Sequence, residues 1–413
     1  MVMPALVGGF GNKSSKYLLP PINNNTFFVY CISSNFFKAI PNLSCMLSAS
    51  LGKYFYNPGL SKTYSSLVDI NNISNNLGCL RSVRQQETRD YNGQNLDACM
   101  LSCSSESSLL GPYLAGLIEG DGTIAVHDTK STAIKYRPII IIVFKKADLP
   151  LAEYLKNLTN CGSVYIKSDR GYILWQIQDI VGVYTIVNLI NGYMRTPKIE
   201  ALNRTINWLN DYKDKNQNSL LPKTQSIISK IKILEIKGID NSPVDSNPWL
   251  AGFSDADANF SINIHKRSNK NATRIQLFYR LEIRQTSHRL NNEGEQGHGQ
   301  SYFSIMSKVA SYLGSNVLSR SRIKGDKQFY SFIVMAHNKV SLIKIIDYFN
   351  KFPLLSSKYL DYISWCYVLD LQQKNSRTTS YLDEALIIRK DFNKTRTTYN
   401  WNHLKNCYLT QKD

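Results

Sequence analysis

The sequence predicts an α+β protein built from two pseudo-symmetric halves, and three observations carry that prediction. A nine-residue stretch occurs twice, as LAGLIEGDG from Leu114 to Gly122 and as LAGFSDADA from Leu250 to Ala258. Each copy is followed by the same succession of patterns: a hairpin, a helix, a second hairpin, then further helices. Within the hairpins apolar and polar residues alternate, so each sheet has a core face and an open face.

Each nonapeptide reads as a helix ending in acidic residues. Pro112 and Pro248 precede the two copies, and proline is favoured at the first helical position, where its missing N–H costs nothing. Asn247 is a good N-cap ahead of Pro248. After Asp121, Thr123–His127 alternates as a strand and a second strand runs from Ile134 to Phe144. Leu149–Leu158 has helical spacing with Pro150 in its first turn. Two short strands follow, Gly162–Ser168 and Tyr172–Ile177, then a helix over Val181–Ile190. Thr196-Pro197-Lys198 leads into a last helix containing Trp208.

The second half repeats this order. Asn259–Lys266 and Thr273–Gln285 form the first hairpin, and Ser304–Leu313 a helix closed by Gly314. Val317–Ile323 and Gln328–Met335 form the second hairpin, and Val340–Phe349 is helical. FPLLSSK then ends at Lys358, with Trp365 beyond. Lys198 follows Asp121 by 77 residues and Lys358 follows Asp257 by 101, so the second half is longer. The polar loop Asn291–Ser301 is one place for the excess. A helix around Tyr381–Phe392 precedes a basic, aromatic tail with Lys394, Arg396, Tyr399 and Trp401.

These boundaries divide the chain into a leader over 1–107, a first domain over 108–235, a linker over 236–246 and a second domain over 247–413. The leader is rich in Asn, Ser and Gly and lacks periodicity, which predicts poor order and no chemistry of its own.

Composition narrows the function. The net charge is +18, and residues 1–110 hold only 8 Lys and Arg against 5 Asp and Glu. The excess therefore lies in the repeats, and it points to a polyanion, nucleic acid before membrane. No apolar run approaches the roughly 18 residues that span a bilayer. The eight cysteines form no CxxC pair, and Cys99 with Cys103 lacks a second pair, so the thiols read as reduced and no zinc site is expected.

The motif itself carries a packing argument. Ala115, Gly116 and Gly120 are small, as are Ala251, Gly252 and Ala256 in the same places. Small residues four apart let two helix backbones approach closely, and the only repeated partner in the chain is the other copy. Packing the copies together brings Asp121 and Asp257 near each other. Two such carboxylates repel unless a cation lies between them, and a hard, oxygen-liganded ion such as Mg²⁺ is the natural occupant. The plainer alternative is that these acids only end helices.

The paired stretches, each after a proline and each leading into a strand, resemble the signature of the LAGLIDADG homing endonucleases in their two-motif, single-chain form. The resemblance covers about residues 108 to 413. It implies two motif helices packed at the centre and two antiparallel sheets forming a DNA-binding saddle in a monomer. It implies that Asp121 and Asp257, with the backbone carbonyls of Gly120 and Ala256, hold Mg²⁺, for which Mn²⁺ can substitute. Lys198 and Lys358 match lysines that stabilise charge or order water near the cut. Gln285 matches a polar position in the metal-bound water network, with Lys145 or Lys146 nearest in the first half. Glu119 and Asp255 read as structural. Ala258 departs from the family's final glycine, which puts the local turn in question.

Residues 1–12, MVMPALVGGFGN, resemble a segment of cytochrome c oxidase subunit I. This implies an upstream exon continuing into a mitochondrial group I intron, a leader of the kind often removed, and a mitochondrial matrix location. The family also includes RNA maturases that assist splicing, so double-stranded DNA is the first implied partner and group I intron RNA the second.

The strands supply the reading surface. A twisted two-stranded ribbon fits the major groove, where Arg reads guanine and Gln or Asn reads adenine. The polar positions Ser261, Asn263, His265, Arg274, Gln276 and Arg280 form that surface in the second half. His127, Lys167, Arg320, Arg322, Lys324 and Gln328 extend it.

Overall fold

The computed structural model describes residues 109–126, 137–266, 273–287, 299–374, 381–405 and 407–410. The leader, His127 and most of the Asn291–Ser301 loop lie outside the described residues.

The first motif forms helix α1, Leu110–Asp121, and the second forms α6, Trp249–Asp257. Pro112 is the third residue of α1 and Pro248 lies just before α6, so neither takes the first helical position. Both placements are tolerated, because the first four N–H groups of a helix have no intrahelical acceptor. Pro248, not Asn247, takes the N-cap position of α6 and offers no side-chain cap, but the Asn247 side-chain oxygen accepts from the Trp249 N–H at 3.0 Å. The Tyr348 hydroxyl serves the same end: it accepts from the Ala251 N–H at 3.1 Å and donates to the Asn247 carbonyl at 2.9 Å.

Each motif helix runs directly into a strand. Gly122 ends α1 at φ −94°, ψ 162°, and Ala258 ends α6 at φ −85°, ψ 163°. Both are ordinary extended backbone, so alanine meets no torsional penalty at the junction. The concern raised by the missing glycine is thereby removed.

In the first half, β1 (Gly122–Ala125) and β2 (Ile139–Lys145) precede α2 (Leu149–Thr159). Strands β3 (Ser163–Lys167) and β4 (Tyr172–Ile177) then lead to α3 (Ile180–Ile190), α4 (Ile199–Asn216) and a short α5 (Pro222–Ile228) that periodicity did not reveal. In the second half, β5 (Ala258–Lys266) and β6 (Thr273–Arg284) precede α7 (Phe303–Leu313). They are followed by β7 (Val317–Lys324), β8 (Lys327–Ala336), α8 (Lys339–Lys351), α9 (Lys358–Lys374) and α10 (Tyr381–Lys390).

The two hairpins of each half join into one antiparallel four-stranded sheet, β1-β2-β4-β3 and β5-β6-β8-β7. The join is β2 to β4 in the first half and β6 to β8 in the second. Part of the second half's extra length goes into strands: β6 and β8 have 12 and 10 residues, against 7 and 6 for β2 and β4. Nearly all of β7 and the first part of β8 are exposed, so this hairpin projects beyond the core.

Burial follows the period-two pattern. In the first sheet Ile140, Ile142, Phe144, Ile173, Trp175 and Ile177 are buried; in the second, Ile275, Leu277, Tyr279, Leu281 and Ile283 are. Helices α1 and α6 lie between the two cores and make the most extensive contact of any described pair of elements.

The segment joining the halves is held along its length. The Asn210 and Asn191 side-chain amides each make two bonds to its backbone, at Leu234 and at Glu235 and Lys237. Arg195 is buried, pairs with Asp240 at 2.7 Å, and donates to the Ser242 carbonyl and hydroxyl. Its guanidinium also lies over the Trp249 ring, 5.4 Å from the centroid. At the other end the tail docks: Arg396 pairs with Asp361 at 2.9 Å, and His403 stacks on Tyr359. No described helix is long and apolar enough to cross a membrane.

Candidate active site and nucleic-acid interface

The seam between α1 and α6 is a backbone contact. A Cβ added at Gly116 would lie 2.0 Å from the Trp249 carbonyl oxygen, and one at Gly252 would lie 2.0 Å from that of Tyr113. Below them a Cβ on Gly120 would meet the Ala256 Cβ at 2.2 Å and an Asp257 carboxylate oxygen at 3.3 Å. Ala115 and Ala251 are fully buried beside these glycines. Each contact maps onto its counterpart by the same sequence offset, so the seam has local two-fold symmetry. Any side chain there would push the helices apart.

This packing brings the acids together. Asp257, half-buried, has its carboxyl pushed up to about 6, first by burial and then by repulsion from Asp121. Asp121 is also raised, by burial, against the opposing charges of Lys358, Lys198 and Lys145. Two partly desolvated carboxylates at one seam, one of them raised by the other, are a place where a cation is stabilising.

The lysines stand where the spacing put them, with a more definite task. Lys198 Nζ donates to the carbonyls of Ile118, Gly120 and Gly122 at 3.1, 3.0 and 2.8 Å. Lys358 Nζ donates to those of Ser254 and Ala256 at 3.1 and 2.6 Å. Each ammonium thus satisfies the carbonyl end of one motif helix, where the helix dipole favours a cation. Burial lowers Lys198 and brings Lys358 down to about 8. The Gly120 and Ala256 carbonyls accept these bonds yet keep a second lone pair each. With the two carboxylates they form an all-oxygen donor set, which fits a hard divalent ion. Among the described residues no group of three or more His, Cys, Asp or Glu offers another site. None of the described cysteines, Cys161, Cys366 and Cys407, forms a disulfide.

Gln285 sits just past β6, and its side-chain amide donates to the Ser319 hydroxyl at 2.6 Å and the Ser331 carbonyl at 3.4 Å. The register settles its counterpart. Gly122 lies opposite Ile142 and Ala258 opposite Leu281, so Lys146 corresponds to Gln285 and Lys145 to Arg284. Lys145 and Arg284 are exposed, and their charges act on Asp121 and Asp257 respectively. Sequence reasoning did not single out this cationic pair. Only cross-strand register places the two residues in equivalent positions.

The structural acids bind across the seam. Glu119 accepts from the N–H groups of Arg195 and Thr196 in its own half and from the Trp249 indole in the other. Asp255 accepts from Leu355 N–H and from Ser356, and from the Tyr113 hydroxyl of the first half. Burial raises both carboxyls, and these bonds oppose the rise.

Most of the expected reading residues share the open face of the second sheet. Ser261 lies opposite Phe278, Asn263 opposite Gln276 and His265 opposite Arg274, with Arg280 next along β6. Arg320, Arg322 and Lys324 alternate along β7, and Ser331, opposite Arg320, joins them to Arg284. Glu282 bonds Arg280, Arg322 and the Ser331 hydroxyl, which fixes both guanidinium groups in place. Those partners hold the Glu282 carboxyl below its usual range despite the cost of burial. Gln328 departs from the expectation: it pairs with Ile323 and stands on the reverse face, because the hairpin register places it one residue out of phase. In the first sheet Lys167 is exposed on β3, near the Tyr165 ring on the same face.

Comparison with known proteins agrees with this geometry. A family model described as LAGLIDADG endonuclease matches residues 114–209 and 250–369. An intron-encoded DNA endonuclease, aI3, of Saccharomyces cerevisiae is 42% identical over 348 residues, spanning 81% of this chain and 82% of the relative. An uncharacterized cox1 intron-2 protein of Schizosaccharomyces pombe is 30% identical over 67% of this chain and 70% of its own length. Among solved structures, the I-SmaMI LAGLIDADG homing endonuclease bound to cleaved DNA matches with a TM-score of 0.50. That match covers 71% of this chain and 100% of the other at 22% identity, a likeness of fold.

Proposed function

Because this chain belongs to the LAGLIDADG endonuclease family, we propose that it is a site-specific double-strand DNA endonuclease that promotes mobility of its mitochondrial group I intron. The observation that carries this reading is the juxtaposition of Asp121 and Asp257 at the ends of two helices in backbone contact, next to two sheets with open faces. Both carboxylates are retained, which favours cleavage over a purely RNA-binding maturase.

Asp121, Asp257 and the carbonyls of Gly120 and Ala256 would hold Mg²⁺ or Mn²⁺. Such an ion lowers the pKa of bound water and neutralises charge on the scissile phosphate. The chain's own groups do the remaining work. Lys198 and Lys358 fix the carbonyl ends of the motif helices and hence the positions of the two acids. Lys145 and Arg284 present cations beside the acids, where a phosphodiester anion would approach. The sheets bind and orient the duplex through phosphate contacts and base edges. One chain supplies both halves of the centre, so a monomer suffices.

The intron-encoded relatives and the resemblance of residues 1–12 to cytochrome c oxidase subunit I support a mitochondrial intron origin and action in the matrix. They also indicate the substrate to test. Purified chain is incubated with plasmid carrying the intronless host-gene junction, with and without Mg²⁺. Linearisation of that plasmid alone, and only with the ion, is expected. An intact junction plasmid at saturating protein would overturn the proposal.

A further inference from the structure

The two open faces are chemically unlike at positions the register makes equivalent. Aligning Ile142 with Leu281 sets Ile139, Ile141 and Val143 of β2 against Phe278, Arg280 and Glu282 of β6. Val143 is 39% exposed, and Ile139, Ile141 and Leu174 are half-exposed on the same face. Lys145 and Lys167 flank this aliphatic strip at its inner end, as Arg284 and Arg320 flank the other. The cations suited to phosphates are thus kept in both halves, while the groups between them differ.

Resting on the endonuclease reading, we propose that the first sheet recognises a thymine-rich half-site through thymine methyl groups packed against Ile139, Ile141 and Val143, while the second reads its half-site by hydrogen bonds from Arg280 and its neighbours. In the major groove the C5 methyl of thymine is the apolar feature of a base-pair edge; guanine and cytosine offer acceptors and donors there. An aliphatic strip bonds none of the polar edge atoms of either kind of pair, so the preference rests on the thymine methyl, which it can pack against and which a G·C pair lacks. Charge complementarity commits the occupant to duplex DNA. The strip continues the surface beside the paired acids and is bordered by lysines, whereas an apolar protein partner would have no use for them.

The test uses full-length protein. Binding sites are first selected from a random-sequence duplex pool without divalent ion, and the two halves of the selected site compared. Thymines are then replaced by deoxyuridine in one half at a time, which removes the methyl and keeps the pairing. Affinity is expected to fall by up to about fourfold per contacted methyl in one half only. The Ile141→Asn variant should lose that sensitivity and Arg280→Gln should keep it, which assigns the sensitive half to the first sheet. Selective binding with no uracil effect, or with equal effects in both halves, overturns the inference and leaves the endonuclease reading standing. Failure to select any sequence overturns both.

Discussion

The Trp249 indole N–H donates to the Glu119 carboxylate at 2.5 Å, across the boundary between the two halves. Its mirror is the Tyr113 hydroxyl on Asp255 at 2.8 Å. In both cases an aromatic residue at the start of one motif helix reaches the buried acid near the end of the other. All four residues are buried, so each bond is sheltered from competing water.

Trp249→Phe leaves Glu119 short of one donor and also opens a cavity where the larger indole was fully buried. A buried carboxylate deprived of a partner costs about 1–3 kcal/mol, and Tyr113→Phe should cost a similar amount through Asp255. Urea midpoints measure both. Midpoints equal to wild type would show that the cross-seam bonds contribute nothing.

Gly116→Ala should destabilise by about 3 kcal/mol or more, because the added carbon falls 2.0 Å from a main-chain oxygen that cannot move aside. Gly238→Ala is the control, since a Cβ there meets nothing within 4 Å. Matching losses in the two variants would show that the helices are not in backbone contact.

The double variant Asp121→Asn with Asp257→Asn should abolish cleavage while leaving DNA affinity within about threefold of wild type, that is, a difference below roughly 0.7 kcal/mol. Binding should still weaken steeply with salt, because it depends on Lys and Arg displacing counterions from phosphates. Gel-shift and nicking assays on the same DNA separate the two effects, and Mg²⁺-dependent cutting by the double variant would refute the site.

Asp257 makes stability depend on pH. Its carboxyl is raised from 3.8 to about 6 by folding, so the folded state binds the proton more tightly. Against a neutral side chain its contribution is nil below the unfolded value, where both states are protonated, and grows unfavourable as pH rises to about 6. Without divalent ion, Asp257→Asn should therefore stabilise the protein by about 1–3 kcal/mol at pH 7–8 and give no advantage near pH 3. Urea titrations across this range test the sign. Cleavage should fall at acid pH, where the proton competes with the divalent ion for Asp257, and a higher ion concentration should move that fall to lower pH.

The duplicated helices, the small residues between them and the paired acids were legible because each depends on spacing within one short segment. Alternation likewise gave the buried and open faces of β5 and β6, whereas β2 is apolar nearly throughout and its open face shows only in the structure. Features that depend on how distant segments align were not legible. Lys145 and Arg284 become equivalent only through pairing across the sheet, and Gln328 changes face with a one-residue phase in a hairpin. Lys198 and Lys358 match in sequence position, but their bonds to helix-end carbonyls follow from packing that no spacing encodes. Nothing local to Trp249 or Tyr113 indicates that each completes the other half's buried acid.

The glycine seam acts as a ruler. Because main chain meets main chain at Gly116 and Gly252, the separation of Asp121 and Asp257 is set by peptide geometry and not by side chains that can change size. Under the nuclease reading, substitutions on the sheets can retarget the protein to new sequences while the spacing of its two metal-holding acids is inherited unchanged.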